Sequence, residues 1–354
     1  MKLLNQTIEN IEEVSIDSNG EIRNRLNKLA IPLGSLGRLE EFAIIYASIK
    51  GSVNDEIKDK VVFTMAGDHG VCREGVSAFP QEVTRQMVKN FLDGGATISV
   101  FAQHVGARVI VVDCGVNAEL ELIECLKIKK VGYGTDNIAH GPAMSTEQAI
   151  KSLEVGIEVL SDELCNGLDI IATGDMGIAN TTPSSAIIAC LTGQDASKVT
   201  GKGTGLDERG VERKISVIKR ALNVNRPDPL DPIDVLAKVG GFEIGGIAGL
   251  CLAAARYRIP VLIDGFISTA AALIACAIEP KVSNYLIASH MSAENGHRIA
   301  LEKLGKKAIL DLDLRLGEGT GAVLGLNLVE AGVKILTQLD TFSEAGVSTP
   351  SLYK

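Results

Sequence analysis

The chain has 354 residues, 46% of them hydrophobic and 22% charged, which supplies ample material for one large domain or two smaller ones. Its net charge of −9 argues against a nucleic-acid binder, which needs a basic face. Aromatic residues make up 4%, there is no Trp, and Gly reaches 37, the profile of α/β enzymes with Ala/Val/Ile/Leu cores and many glycine turns.

Residues 1 to about 60 are charged and helical in pattern, interrupted by Ile31-Pro32-Leu33-Gly34-Ser35-Leu36-Gly37-Arg38-Leu39. The polar N-terminus carries no signal-peptide pattern, and no apolar run reaches the ~18 residues of a membrane span. Four strands follow. Val61–Ala66 ends at Gly67-Asp68-His69-Gly70, and Ala107–Asp113 ends at Cys114-Gly115-Val116. Leu168–Thr173 ends at Gly174-Asp175-Met176-Gly177, and Pro260–Asp264 ends at Gly265-Phe266-Ile267-Ser268. Helical stretches lie between them at Thr84–Leu92, Thr146–Ser161, Ser184–Leu191, Val211–Leu222, Gly245–Ala255 and Thr269–Ile278. This alternation predicts an α/β fold, a parallel β-sheet with helices on both faces, Rossmann-like in layout. Each strand ends at a glycine and polar turn, so a site is expected along the C-terminal edge of the sheet. The polar N-terminal segment, 1–60, and the C-terminal run, 331–354, are expected to pair as a small helical domain beside a catalytic domain at 61–330.

The most informative segment is Arg315-Leu316-Gly317-Glu318-Gly319-Thr320-Gly321-Ala322. It lies between an alternating run, Ala308–Leu314, that reads as a strand and an apolar run, Ala322–Val329, that reads as a helix. Glu318 is a lone carboxylate among glycines at a strand-to-helix turn, where partial desolvation raises a carboxyl pKa and makes a better base. A surface turn whose Glu caps the next helix is the plain alternative.

Gly174-Asp175-Met176-Gly177-Ile178-Ala179-Asn180-Thr181-Thr182-Pro183 is a strand end feeding a helix. Its glycines, hydroxyls and helix N–H groups suit a phosphate, while ordinary N-capping also accounts for the Thr and Ser residues. Thr200-Gly201-Lys202-Gly203-Thr204-Gly205 fits neither a Walker loop nor a dinucleotide fingerprint and reads as a flexible loop before a solvated helix. Asp68 and His69 read as an acid–base pair or, preferably, as turn-fixing groups. Further polar turns lie at Asp264–Ser268 and Ser289–His297. The seven cysteines are widely spaced with no C-x-x-C pair, which reads as buried, reduced thiols in a cytoplasmic protein. The five histidines form no ligand pattern, so no metal site is expected.

Taken in order, these segments resemble one family, the nicotinate-nucleotide–dimethylbenzimidazole phosphoribosyltransferases of cobalamin biosynthesis. The resemblance rests on Pro32–Glu40, Ala66–Val71, Pro80–Thr84, Phe91–Ala96, Val112–Val116, Asn137–Ala139 with Gly141–Met144, Gly177–Thr182, Ser289–His297 and Leu316–Ala322. It implies a parallel α/β domain, a small helical domain from both termini and a homodimer. It implies small-molecule substrates, nicotinate mononucleotide and a benzimidazole base, with no cofactor, nucleic-acid or membrane partner. A ring nitrogen of the base attacks C1′ of the ribose and displaces nicotinate with inversion, giving α-ribazole 5′-phosphate.

By this resemblance Glu318 matches the catalytic base. Asp175, Gly177, Asn180, Thr181, Lys214, Asp264 and Ser292 match positions around the nucleotide and its phosphate. Ser77, Phe79, Gln86, Met176 and Leu316 match positions around the base. One departure is that Glu is common in the family where Asp175 stands, which retracts the charge by a methylene. Two other readings stay open at this stage: a phosphoribosyltransferase for adenine or a phenolic acceptor, and a non-catalytic nucleotide sensor on the same fold.

Overall fold

The computed structural model describes residues 1–16, 20–121 and 125–348. Among these residues the main sheet has six strands, all parallel: β1 (Lys60–Gly67), β2 (Arg108–Gly115), β3 (Leu126–Ile128), β4 (Ile170–Met176), β5 (Val261–Ile263) and β6 (Leu286–Ala288). Their spatial order is β3-β2-β1-β4-β5-β6. Chain order therefore reverses between β1 and β4, the switch point at which doubly wound sheets open a crevice beyond the strand ends. In this pair Met65 lies opposite Asp175 and Ala66 opposite Met176.

The expected strands and helices are present, with boundaries moved by a few residues. The alternating run 308–314 is the exception. Only Leu310–Asp311 forms a strand, β8, pairing in parallel with β7 (His290–Met291) in a separate two-stranded sheet. Leu312 is 53% exposed, so the alternation there does not report a buried face. Four helices unmarked in the sequence pattern, Thr97–Val105, Ala196–Val199, Pro232–Val239 and Asn295–Leu304, complete the layers. Of the cysteines expected to be buried, Cys125 and Cys165 are exposed.

Strand side chains alternate between two cores because their period is two. Val61, Phe63 and Met65 enter one cluster with Leu153, Val155 and Ile157 of the Thr146–Glu163 helix and Ile244 and Ile247 of the Phe242–Arg256 helix. Val62 and Ala66 enter the other with Ile98, Val323, Leu326 and Val329. The last three belong to the helix Thr320–Gln338, which is long and apolar enough by length and composition to cross a membrane. Span length is thus reached, contrary to the sequence expectation. It is reached because this helix is a core layer, with 61% of its most apolar window buried inside the fold.

The same helix runs through position 331. Its Ile335 and Leu336 pack with Ile22, Leu26, Leu29, Ala43 and Ile44 from the N-terminal helices. Arg25 donates to the carbonyls of Leu336 and Leu339, and the Ala30 amide donates to the Asp340 carbonyl. Residues 17–19 and 349–354 of the proposed helical domain, and 122–124 of the proposed catalytic domain, lie outside the described residues.

Candidate active site

The Glu318 turn lies over the end of β4. Gly317, Glu318 and Gly319 have φ of 84°, 65° and 96° in succession. Two glycines adopt this left-handed conformation without penalty, whereas holding it costs Glu318 about 1–2 kcal/mol. The turn is pinned from three sides. The Glu318 amide donates to the Asp175 carbonyl at 3.2 Å, and Thr64 Oγ1 donates to the Glu318 carbonyl at 3.2 Å. Asp264, at the end of β5, accepts from the Gly319 amide at 3.2 Å and the Ala322 amide at 2.9 Å.

Asp264 therefore does the capping for the Thr320–Gln338 helix, and the Glu318 side chain is left for other work. The Glu318 residue is 5% exposed, and its Oε2 is buried without a hydrogen-bond partner among the described residues. Burial pushes its carboxyl up to about 7; the Ile98 amide opposes that shift and the charge of Asp264 adds to it. A carboxylate near neutrality with a free lone pair is equipped to act as a general base.

Asp175 and Asn180 form the adjoining wall. Asn180 Nδ2 donates to Asp175 Oδ2 at 2.8 Å. Burial first, then the neighbouring charge of Asp264, raises the Asp175 carboxyl well above the usual range, and the Asn180 bond works against the shift. The Asn180 side chain is thereby taken from the helix Thr181–Thr192, which begins without a side-chain cap. Gly177 is packed against β1: a Cβ there would meet the Gly67 carbonyl at 2.3 Å.

Lys214 is completely buried, and its Nζ donates to Thr181 Oγ1 at 2.6 Å. Burial lowers the ammonium to about 8, opposed by the charge of Glu294. A buried ammonium with one hydroxyl partner beside a helix N-terminus is suited to an anion. Ser292 lies behind this wall; its amide donates to His297 Nδ1 at 2.8 Å, and its Oγ accepts from the Glu294 amide at 3.3 Å.

The glycine-rich loop after Thr200 is not the free loop that its sequence suggested. Glu294 Oε1 accepts from the Gly203 amide at 2.8 Å, and Arg315 donates to the Gly203 carbonyl at 3.1 Å. A Cβ on Gly203 would lie 3.0 Å from Thr181 Oγ1 and 3.2 Å from Lys214 Nζ. Gly203, Glu294 and Arg315 therefore join the anion end of the site. Sequence reasoning missed them because their partners are distant along the chain, with Glu294 and Arg315 lying 91 and 112 positions beyond Gly203.

Among the residues matched to the base, Met176 is buried in the cluster with Ile178. Phe79 and Leu316 are exposed, at 49% and 54%. Ser77 Oγ accepts from the Phe79 amide at 3.3 Å and meets Thr204 Oγ1 at 3.3 Å. Gln86 lines a cavity of about 480 Å³ with Asp68, Gln81, Glu82, Arg85, Lys89, Asn117 and Ala118.

Asp68 and His69 have turn-fixing partners. Asp68 Oδ2 accepts from the Asn117 amide at 2.8 Å, and His69 Nε2 meets Glu243 Oε1 at 2.8 Å with both side chains buried.

Buried ionisable groups gathered over the switch point of a doubly wound sheet define an α/β enzyme whose ligands sit at the strand ends. Comparison with known proteins narrows this class. Residues 11–347 match the family described as "Phosphoribosyltransferase". The chain is 54% identical over 348 residues to the nicotinate-nucleotide–dimethylbenzimidazole phosphoribosyltransferase of Geobacter sulfurreducens, covering 98% of this chain and 99% of that protein. It is likewise 54% identical to the enzyme of that name from Geotalea uraniireducens, with the same coverage. The crystal structure of CobT from Thermus thermophilus superposes with a TM-score of 0.90 at 46% identity, covering 94% of this chain and 99% of that one. The chain belongs to the nicotinate-nucleotide–dimethylbenzimidazole phosphoribosyltransferase family, enzymes of pentosyl transfer.

Proposed function

We propose that this enzyme transfers the phosphoribosyl group of nicotinate mononucleotide to 5,6-dimethylbenzimidazole, releasing nicotinate and α-ribazole 5′-phosphate for the lower-ligand nucleotide of cobalamin. The relatives' names support the substrates. The observation that carries the mechanism is the buried, partner-free carboxylate oxygen of Glu318 at the C-terminal edge of β4.

In this reading one benzimidazole nitrogen attacks C1′ from the face opposite nicotinate. The new C–N bond forms as the C1′–pyridinium bond breaks, and its electron pair neutralises the departing ring nitrogen. The leaving group needs no proton. The second benzimidazole nitrogen loses its proton to Glu318, whose raised pKa matches a base working near neutral pH. Inversion at C1′ follows from a single displacement.

The Lys214 ammonium and the Thr181 hydroxyl would receive the 5′-phosphate beside Gly203, whose own amide is held by Glu294. Any negative charge that Asp175 carries would stabilise the oxocarbenium character of C1′, with Asn180 holding it in place. Asp264 and Ser292 serve the nucleotide end by fixing the Glu318 turn and the Glu294 segment. Phe79, Leu316 and Met176 would give the base apolar surface, with Ser77 and Gln86 at its polar rim.

The test is a chromatographic assay of nicotinate mononucleotide with 5,6-dimethylbenzimidazole. Nicotinate and α-ribazole phosphate in equal amounts, both absent without the base, are expected. Nicotinate alone would mean hydrolysis, and neither product from folded protein would favour a sensor.

A further inference from the structure

The Gly203-Thr204 dipeptide touches both ends of the site. Gly203 lies against Thr181 and Lys214, where the anion is placed, and its carbonyl accepts from Arg315, three positions before Glu318. The next residue faces the other way. Thr204 Oγ1 accepts from the Ala78 amide at 3.2 Å and meets Ser77 Oγ at 3.3 Å. Ser77 in turn holds the Phe79 amide. A continuous chain of contacts thus runs from the buried ammonium, through two consecutive residues, to the segment carrying the exposed Phe79 ring.

The two Thr204 contacts are long for their type, which leaves room for them to tighten. The loop has glycines on both sides of Thr204, Gly203 at φ 54° and Gly205 at φ 114°, so it can take up a change of backbone angle at low cost. An anion seated at Lys214 and Thr181 takes space beside Gly203, whose amide and carbonyl are already bonded to Glu294 and Arg315, and so presses on the loop. Pressing on it moves Thr204, on its other side, toward Ser77 and Ala78.

We propose that Thr204 is a positioning residue that couples the anion subsite to the acceptor segment, so that phosphate at Lys214 tightens binding of the aromatic base. This rests on the acceptor role given above to Ser77 and Phe79. The coupling is reciprocal: the base must tighten the anion by the same factor. Thr204 touches no reacting atom; it sets where Phe79 stands.

The experiment is calorimetric titration of 5,6-dimethylbenzimidazole with and without saturating inorganic phosphate, for the wild type, Thr204→Val and Thr204→Ser. Phosphate binding is titrated alone in the wild type, Thr204→Val and Lys214→Met. In the wild type, phosphate is expected to lower the Kd of the base by about 5- to 20-fold, within the usual range of site–site coupling. Thr204→Val keeps the shape of the residue but loses the hydroxyl and is expected to bring that ratio below about 2-fold, while Thr204→Ser restores it. Unchanged phosphate affinity in Thr204→Val would show that the anion end is intact. A wild-type ratio retained in Thr204→Val overturns the proposal, as does a wild-type ratio of one or a failure of phosphate to bind. Those results leave the transferase reading standing if the reaction proceeds, whereas failure of the base to bind active wild-type enzyme sinks the acceptor assignment itself.

Discussion

Gly174 and Glu318 are packed backbone on backbone: a Cβ on residue 174 would lie 2.3 Å from the Glu318 carbonyl oxygen and 2.6 Å from its carbonyl carbon. The strand end and the turn bearing the carboxylate are fitted so closely that neither can be changed without moving the other.

Gly174→Ala is expected to lift the Glu318 turn off β4, since neither backbone can yield a contact of 2.3 Å. Overpacking of this kind costs about 1–3 kcal/mol. Thermal unfolding should show that loss with a larger fall in kcat than in substrate affinity. An alanine variant with wild-type kcat would mean that the close approach is not needed for catalysis.

Glu318→Gln retains the size of the side chain and removes the base. The rate of transfer is expected to fall roughly 10²- to 10⁴-fold, the usual worth of general-base catalysis, in protein that stays folded. Near-normal turnover would take Glu318 out of the chemistry.

The pH profile follows from the same carboxyl. Glu318 works ionised, and its pKa is about 7, so kcat/KM should decline about tenfold per pH unit below about pH 7. Stability has the opposite sign. A carboxyl raised in the folded state favours folding while protonated, and that contribution is lost as pH rises through about 7. Glu318→Gln should remove both dependences, which pH-resolved kinetics and melting curves can check together.

Lys214→Met keeps an unbranched side chain in the buried site and removes the charge. Hydrogen bonds to charged groups contribute about 1.5–3 kcal/mol, so KM for nicotinate mononucleotide should rise roughly 10- to 100-fold. In the unsubstituted enzyme the same KM should rise above about pH 8, where the ammonium of the free protein deprotonates. A KM that stays flat on both sides of that pH would place the phosphate elsewhere.

His297 is held neutral at about 3 by burial, accepting from the Ser292 amide at Nδ1 and meeting Thr269 Oγ1 at 2.9 Å through Nε2. Because the unfolded chain binds this proton near pH 6.5, stability from His297 is present above that pH and is lost as pH falls toward 3. His297→Gln should melt lower at about pH 7 and show a shallower loss of stability on acidification below about pH 6.5. An unchanged slope would assign acid sensitivity to other groups.

Much of this protein was determined by local sequence. Runs such as Val61–Ala66 and Leu168–Thr173, each ended by glycine, specify buried parallel strands, because a strand covered on both faces carries mostly apolar residues without polar alternation. The glycines around Glu318 announce a turn with left-handed backbone angles, since other residues adopt them at a cost. The ordered motifs were specific enough to point to the family.

The tertiary structure alone decided which groups meet. Nothing near residue 318 indicates that Asp264, from another strand, caps the following helix and so frees the carboxylate. Nothing near residue 203 indicates that its loop closes on Lys214 and Glu294. The alternating run at 308–314 looked like a strand, yet only Leu310 and Asp311 joined a strand pairing. Sequence periodicity reports the surroundings of neighbours along the chain. Desolvation, proton affinity and hydrogen-bond partnership depend on residues brought together by sheet order, and these became visible only when the strands were placed side by side.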